Sequence, residues 1–234
     1  MRPSTPRPKP LEGARKPARR QPGRPLGDDE ADRRALALDA ALACYVRRGI
    51  AATSLRDIAA QAGITPALLH YYFGDAAGLR EAVVAERLMP VFAEIRDTLL
   101  GVPDASLRAV LTAFVDAICA LVKRHPWVPP LWIREMVSEG GSLRELLVTR
   151  LAPQLATVLA ARFAQEQAAG RLNPALDPRL LMVSLVGLTL FPAAGTPIWR
   201  QIFAGDGLGA DDLGMDDIRN HALALIERGL ELPA

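Results

Sequence analysis

An all-α fold is predicted by three features of the sequence. Apolar residues recur at three- and four-residue spacing through most of the chain after the first thirty residues; no run alternates with period two; and no Asn-Gly or Asp-Gly turn joins β-branched segments. With 234 residues, half of them apolar, the chain has ample material for a core, which excludes disorder throughout. Two cysteines, Cys44 and Cys119, exclude a disulfide framework and a Cys-only metal site. The longest apolar run, Leu180 to Pro192, is short and interrupted for a bilayer span. A basic N-terminus followed by prolines instead of an apolar stretch is no secretory signal, so a cytoplasmic chain without a membrane partner is expected.

The elements follow in order. Leu38, Leu42, Tyr45 and Val46 mark one face of a helix that stops at Gly49. Leu55, Ile58, Ala59 and Ala62 form a shorter one closed by Gly63, and Leu69, Tyr72 and Phe73 a third closed by Gly74. Leu107, Val110, Leu111, Phe114, Ile118, Leu121 and Val122 hold a single face for several turns. Breakers at Pro90, Gly101-Val102-Pro103, His125 to Pro130, Gly140-Gly141, Gly170 to Pro178, Thr196-Pro197 and Gly205 to Gly214 divide the rest, before a last helix near Met215–Gly229. Short helices up to residue 74 and longer ones beyond predict a small head on a larger body. The expected divisions are a basic, Pro-rich arm at 1–28, a head at 29–89 and a helical body at 90–234.

Charge is unevenly spread. Residues 1–27 carry eight basic side chains and one acid, a net +7, while residues 28–90 stand at −2 and 91–234 at −3. The same arm holds seven prolines, so it predicts an extended, solvated segment.

Residues 53–73 read TSLRDIAAQAGITPALLHYYF. Ser54 with Asp57 is a capping box that opens one helix, Gly63 suits a left-handed turn, and Thr65 caps the next with Pro66 at its first position. Two short helices joined by a glycine turn are a helix-turn-helix, whose second helix enters the major groove with its N-terminal residues at base edges. All three tyrosines of the chain lie within the head, two of them, Tyr71 and Tyr72, adjacent on this helix; their hydroxyls and His70 can donate to phosphate oxygens. The competing reading is two ordinary core helices with tyrosines as filler.

The stretch from Thr53 to Leu79 resembles the DNA-binding signature of the TetR (tetracycline repressor) family, through Arg56-Asp57-Ile58-Ala59, Ala62-Gly63-Ile64, the aromatic helix ending in Tyr72-Phe73, the Gly74-Asp75 turn and Leu79. The specific signal covers about residues 30–90. The resemblance implies a three-helix head with a fourth helix linking it to the body, and a homodimer that binds a palindromic double-stranded operator as a repressor. It also implies a body whose small-molecule effector alters the separation of the heads, with no enzymatic activity and no cofactor. It places Ser54 and Arg56 at phosphates, and Thr65, Pro66, Ala67, Leu68 and Tyr71 at bases. His70 stands where the family commonly has tyrosine, and Tyr72 where it has histidine.

One departure is Ala76, where the family commonly has a phosphate-binding lysine; losing that contact weakens binding and lowers the salt slope by about one unit. Arg19-Arg20-Gln21-Pro22-Gly23-Arg24-Pro25 is similar to the core of an AT-hook, so the arm can compensate by placing Arg24 in a minor groove, or else merely add charge.

In the body no phosphate loop, Gly-x-Ser-x-Gly elbow or His-Glu-x-x-His pair occurs. An effector pocket is expected from Phe114, Ile118, Trp127, Trp132, Met136 and Phe191, with His125, Arg134 and Glu135 as orienting groups. Glu135 and Glu139, one turn apart, could instead seat a metal beside His125, or form a solvated face; no metal is expected. Cys119 reads as a small buried hydrophobe. The dimer interface is expected on Leu155, Val158, Leu159 and Phe163, and on Leu181, Leu185 and Leu188, unless these faces pack only within the subunit. The alternative function is a small helical enzyme or ligand carrier with a vestigial DNA-binding head.

Overall fold

The computed structural model describes residues 26–101, 106–205 and 213–229, and every regular element among them is helical. Residues 1–25, which hold most of the expected arm and Arg24, lie outside the described residues. Helix α1 (Leu26–Arg48) begins inside the stretch expected to belong to the arm. It packs on α2 (Leu55–Ala62), α3 (Pro66–Phe73) and α4 (Ala76–Val83) around a core of Leu38, Ala41, Tyr45, Ile58, Leu69 and Leu79. Leu38, Tyr45 and Ile58 come from the predicted faces of α1 and α2, and Leu69 from that of α3.

Pro90 does not end a helix. The chain runs from α4 through a π-helical turn, Val84–Leu88, into α5 (Met89–Leu100). Proline lacks an N–H and its ring crowds the carbonyl four residues back. Here that carbonyl belongs to Glu86; the ladder widens just before the proline, and the Arg87 guanidinium donates to the Glu86 carbonyl at 3.2 Å. The expected head–body boundary at 89/90 therefore falls within one helical rod. Another π turn, Leu147–Leu151, stands in the same relation to Pro153, before α9 (Ala152–Ala168).

The body core is built on α6 (Leu107–Arg124), whose predicted face is buried from Leu107 to Val122. Around it lie α7 (Val128–Leu131), a π segment Trp132–Val137, α8 (Arg144–Leu146), α9, α10 (Pro178–Ile202) and α11 (Met215–Gly229). Helix α10 continues through Pro192 and Pro197, so the loop expected at Thr196-Pro197 is helical. By length and composition, Arg144–Ala168 and Pro178–Ile202 could cross a membrane. For α10 this arises because one face (Leu181, Met182, Leu185, Leu190) is in the subunit core while another is exposed and also apolar.

Both cysteines are buried, and burial pushes the Cys119 thiol up to about 11. At pH 8 its thiolate fraction is then about one in a thousand. Iodoacetamide at pH 8 should leave both thiols unmodified in the native protein and alkylate both after unfolding in guanidinium. Labelling of native Cys119 within minutes would contradict this packing.

Candidate functional site

The head presents a helix-turn-helix whose geometry follows from its caps. The Ser54 hydroxyl accepts from the Asp57 N–H at 3.2 Å while the Asp57 carboxylate accepts from the Ser54 N–H at 3.1 Å. That carboxylate also accepts from the Ser54 hydroxyl at 2.6 Å and from Arg48, and these bonds hold the Asp57 pKa below its ordinary value. Gly63, at φ +66°, turns the chain in the left-handed region that a Cβ disfavours, so α3 starts only Ile64 and Thr65 later. Thr65 accepts from the Leu68 N–H at 3.3 Å, and Pro66 occupies the position where no N–H is required.

Helix α3 buries Leu69 and turns Thr65, Pro66, Ala67, His70 and Tyr71 to solvent, with Leu68 and Tyr72 half-buried. Tyr71 is 74% exposed, its ring 5.5 Å from that of Tyr72. A large aromatic so exposed on a short helix has no packing role, which removes the core-filler reading for it. Arg56 is exposed on α2 and, among the described residues, pairs with no acid, whereas Arg48 is held by Asp57 and Arg47 by Gln61.

Two of the expected DNA contacts are engaged by local hydrogen bonds. Both donors of Ser54, hydroxyl and N–H, are engaged by Asp57, so this residue builds the cap, and a phosphate contact would draw a donor from that carboxylate. The Nδ1 of His70 lies 2.6 Å from the Gly74 carbonyl, which can only accept; Nδ1 therefore carries the proton. In this tautomer the exposed Nε2 carries the lone pair.

The body forms a cavity of about 650 Å³, partly open to solvent, between α5, α6, α7, α9, α10 and the two later π segments. Phe114, Ile118, Trp132 and Phe191 line it. His125, Trp127, Arg134, Glu135 and Met136 do not. His125 stacks edge-on against Trp127, 5.7 Å between centroids, and Trp127 packs at the junction of the head and body cores. The expected orienting groups face the head because Trp132–Val137 presents two sides: Trp132, Ile133 and Val137 to the cavity, and Arg134, Glu135 and Met136 to α1 and the loop after it.

Glu135 is the central case. It is 4% exposed and accepts from the Ile50 N–H at 3.0 Å in the head and from the Ser142 N–H at 3.2 Å. Arg134 donates to the Val46 carbonyl at 3.0 Å. Gly49 is required beside them: its φ is +88°, and a Cβ there would meet Glu135 Oε1 at 3.1 Å. Glu139 is exposed, and the described residues contain no group of three side chains able to hold a metal. The alternation of cavity-facing and head-facing residues on a six-residue π segment carries no sequence signal, since the spacing of apolar residues reports only the ordinary helical period.

Of the expected interface residues, Leu159, Phe163, Leu181 and Leu185 lie in the subunit's own core. Leu155 and Leu188 pack against it, and Val158 alone of the set is exposed. The free apolar stripe is a neighbouring one on α10: Leu180, Val183, Phe191, Ile198 and Ile202. The expected face is thus the buried one, because both faces of α10 are apolar and periodicity alone does not rank them.

These features define a helix-turn-helix protein whose head is joined by a continuous helical rod to a helical body. The family model "Bacterial regulatory proteins, tetR family" matches residues 37–83. The BetI transcriptional regulator of Burkholderia thailandensis is 31% identical over 166 residues, 66% of this chain and 83% of that relative. The chain belongs to the TetR family and is a DNA-binding transcriptional regulator. Solved structures share the fold: NalD, the secondary repressor of the MexAB-OprM efflux pump of Pseudomonas aeruginosa, at TM-score 0.60 and 21% identity over 86% of this chain and 98% of that one. The FadR regulator of Bacillus subtilis, in complex with stearoyl-CoA, aligns at TM-score 0.61 and 15% identity over 84% and 99%.

Proposed function

We propose that this chain represses transcription as a homodimer on a palindromic operator and is released by a small-molecule effector seated in the body cavity, in the cytoplasm. The head begins with α1 at Leu26, and its division from the body lies within the α4–α5 rod. The observation that carries DNA reading is the exposed set Thr65, Pro66, Ala67, His70 and Tyr71 along the start and outer face of α3. Thr65 and Tyr71 reach base edges or the phosphates beside them, and Arg56 approaches phosphate. The apolar stripe of α10 pairs with its copy, which accounts for its exposed leucine, isoleucines and phenylalanine. Release by an effector agrees with FadR having been solved with stearoyl-CoA. The arm adds charge attraction, and deletion of residues 1–25 should flatten the salt dependence of binding.

The test is a mobility-shift titration with the chain's own upstream DNA. Tyr71→Ala should weaken specific binding about tenfold or more while changing stability by less than about 0.5 kcal/mol, since the side chain packs on little. A wild-type chain that gives no salt-sensitive, sequence-specific shift would favour the carrier or enzyme reading.

A further inference from the structure

The body cavity has one chemical asymmetry. Apart from the Trp132 indole, the side chains lining it are apolar except Arg96 on α5 and Gln154 on α9; among the described residues no carboxylate, histidine or hydroxyl side chain faces it. We infer that the cavity takes an amphiphile with a long apolar body and a single anionic end, and that Arg96 and Gln154 receive that end. This deepens the effector reading above and rests on it for its regulatory meaning, though not for binding itself.

The size fits. At 650 Å³ the space equals roughly twenty molecules of water at about 30 Å³ each, and a methylene is of similar bulk, so a body of about ten to twenty carbons is accommodated. Phe114, Ile118, Trp132, Met182 and Phe191 supply walls that cannot compensate the desolvation of polar groups along such a body.

The polar end is built from two elements. Arg96 Nη1 donates to Gln154 Oε1 at 3.2 Å, which fixes the guanidinium across the gap between α5 and α9. Its Nε donates to Asp97 Oδ1 at 2.9 Å, and Nη2 lies 2.8 Å from the same oxygen. A guanidinium has five N–H donors in a planar fork, so donors remain on Nη1 and Nη2 for a carboxylate, and the Gln154 amide adds its own. Asp97 is exposed and outside the lining, so it can return to water when an incoming anion takes its place. The sign is decided by what lines the wall: an organic cation would meet an arginine and no lining carboxylate, and the acid beside that arginine, Asp97, lies outside the lining and is already paired with it. The nearby Glu94 faces away, paired with Arg124.

The experiment is calorimetric titration of the full-length protein with three probes of equal chain length, each below its micelle concentration: dodecanoate, dodecanol and dodecyltrimethylammonium. Dodecanoate should bind saturably, at least about tenfold tighter than dodecanol, with the ammonium weakest. Arg96→Met should bring dodecanoate down to the affinity of dodecanol and leave dodecanol within about threefold, which also shows that the variant is folded. Arg96→Lys, which keeps the charge but loses the fork, should fall between.

Equal binding of acid and alcohol by wild type, or an acid preference that survives in Arg96→Met, overturns the anchor. Tightest binding by the ammonium, or no saturable binding of any probe, overturns the proposed ligand class. The regulatory reading is tested separately in the shift assay: dodecanoate that binds with the predicted preference but leaves the operator complex intact would refute effector release and retain the ligand class.

Discussion

Glu135→Ala should destabilise the protein by about 2–5 kcal/mol. The side chain is buried and accepts from two backbone N–H groups, those of Ile50 and Ser142. Truncation leaves both donors unpaired, each at a cost of about 1–3 kcal/mol, and opens a void beside Gly49. In a chain of this length that amounts to a fall in melting temperature of roughly 5–15 °C. Glu135→Gln should cost less, because its carbonyl oxygen can still accept from one of the two. Hydrogen exchange gives a local readout: the Ile50 and Ser142 amides should lose protection in Glu135→Ala, and one of them should keep it in Glu135→Gln. An unchanged melting temperature for the alanine variant would show that water satisfies these amides equally well.

The bond has a consequence for regulation. Ile50 lies in the loop between α1 and α2, and Glu135 sits among residues whose neighbours Trp132, Ile133 and Val137 form cavity wall. If an effector displaces that wall, the buried Glu135–Ile50 bond and the α4–α5 rod are the connections that join it to the head.

The double substitution Leu180→Glu with Ile198→Glu should convert the protein from dimer to monomer at micromolar concentration and weaken operator binding by roughly a hundredfold or more. Both residues are exposed on the α10 stripe, and neither lines the cavity, so the subunit itself should stay folded. In a dimer each residue is buried twice, and each burial contributes about 1.5–3 kcal/mol; the glutamates replace this with like charges facing across a two-fold axis. Operator binding falls with the dimer because one head reaches only one half-site. Sedimentation velocity and a shift assay on the same samples check both parts. A double variant that remains a dimer would place the interface on another face.

Much of this protein is legible in its sequence. The caps at Ser54 and Thr65, the turn at Gly63 and the apolar faces of α1, α2 and α6 depend on contacts within a few residues. Sequence spacing reports such contacts directly, and they carry the all-α class and the helix-turn-helix. Proline misleads because its local penalty is not final. Where a neighbouring π turn or a side chain such as Arg87 accommodates the displaced carbonyl, the helix continues, as at Pro90; at Pro197 too the helix runs on.

The tertiary structure alone decided which chemistry each body residue performs. Arg134 and Glu135 have the charges expected of ligand-orienting groups, yet their segment turns them to the head, and the polar end of the cavity falls to Arg96 and Gln154, which lie on helices 58 positions apart in the chain. On α10 the composition of two apolar faces is alike, and only packing against α6 and α9 separates the buried face from the free one. Periodicity identifies a face. Long-range packing selects its partner, because that choice is set by contacts between residues distant in sequence.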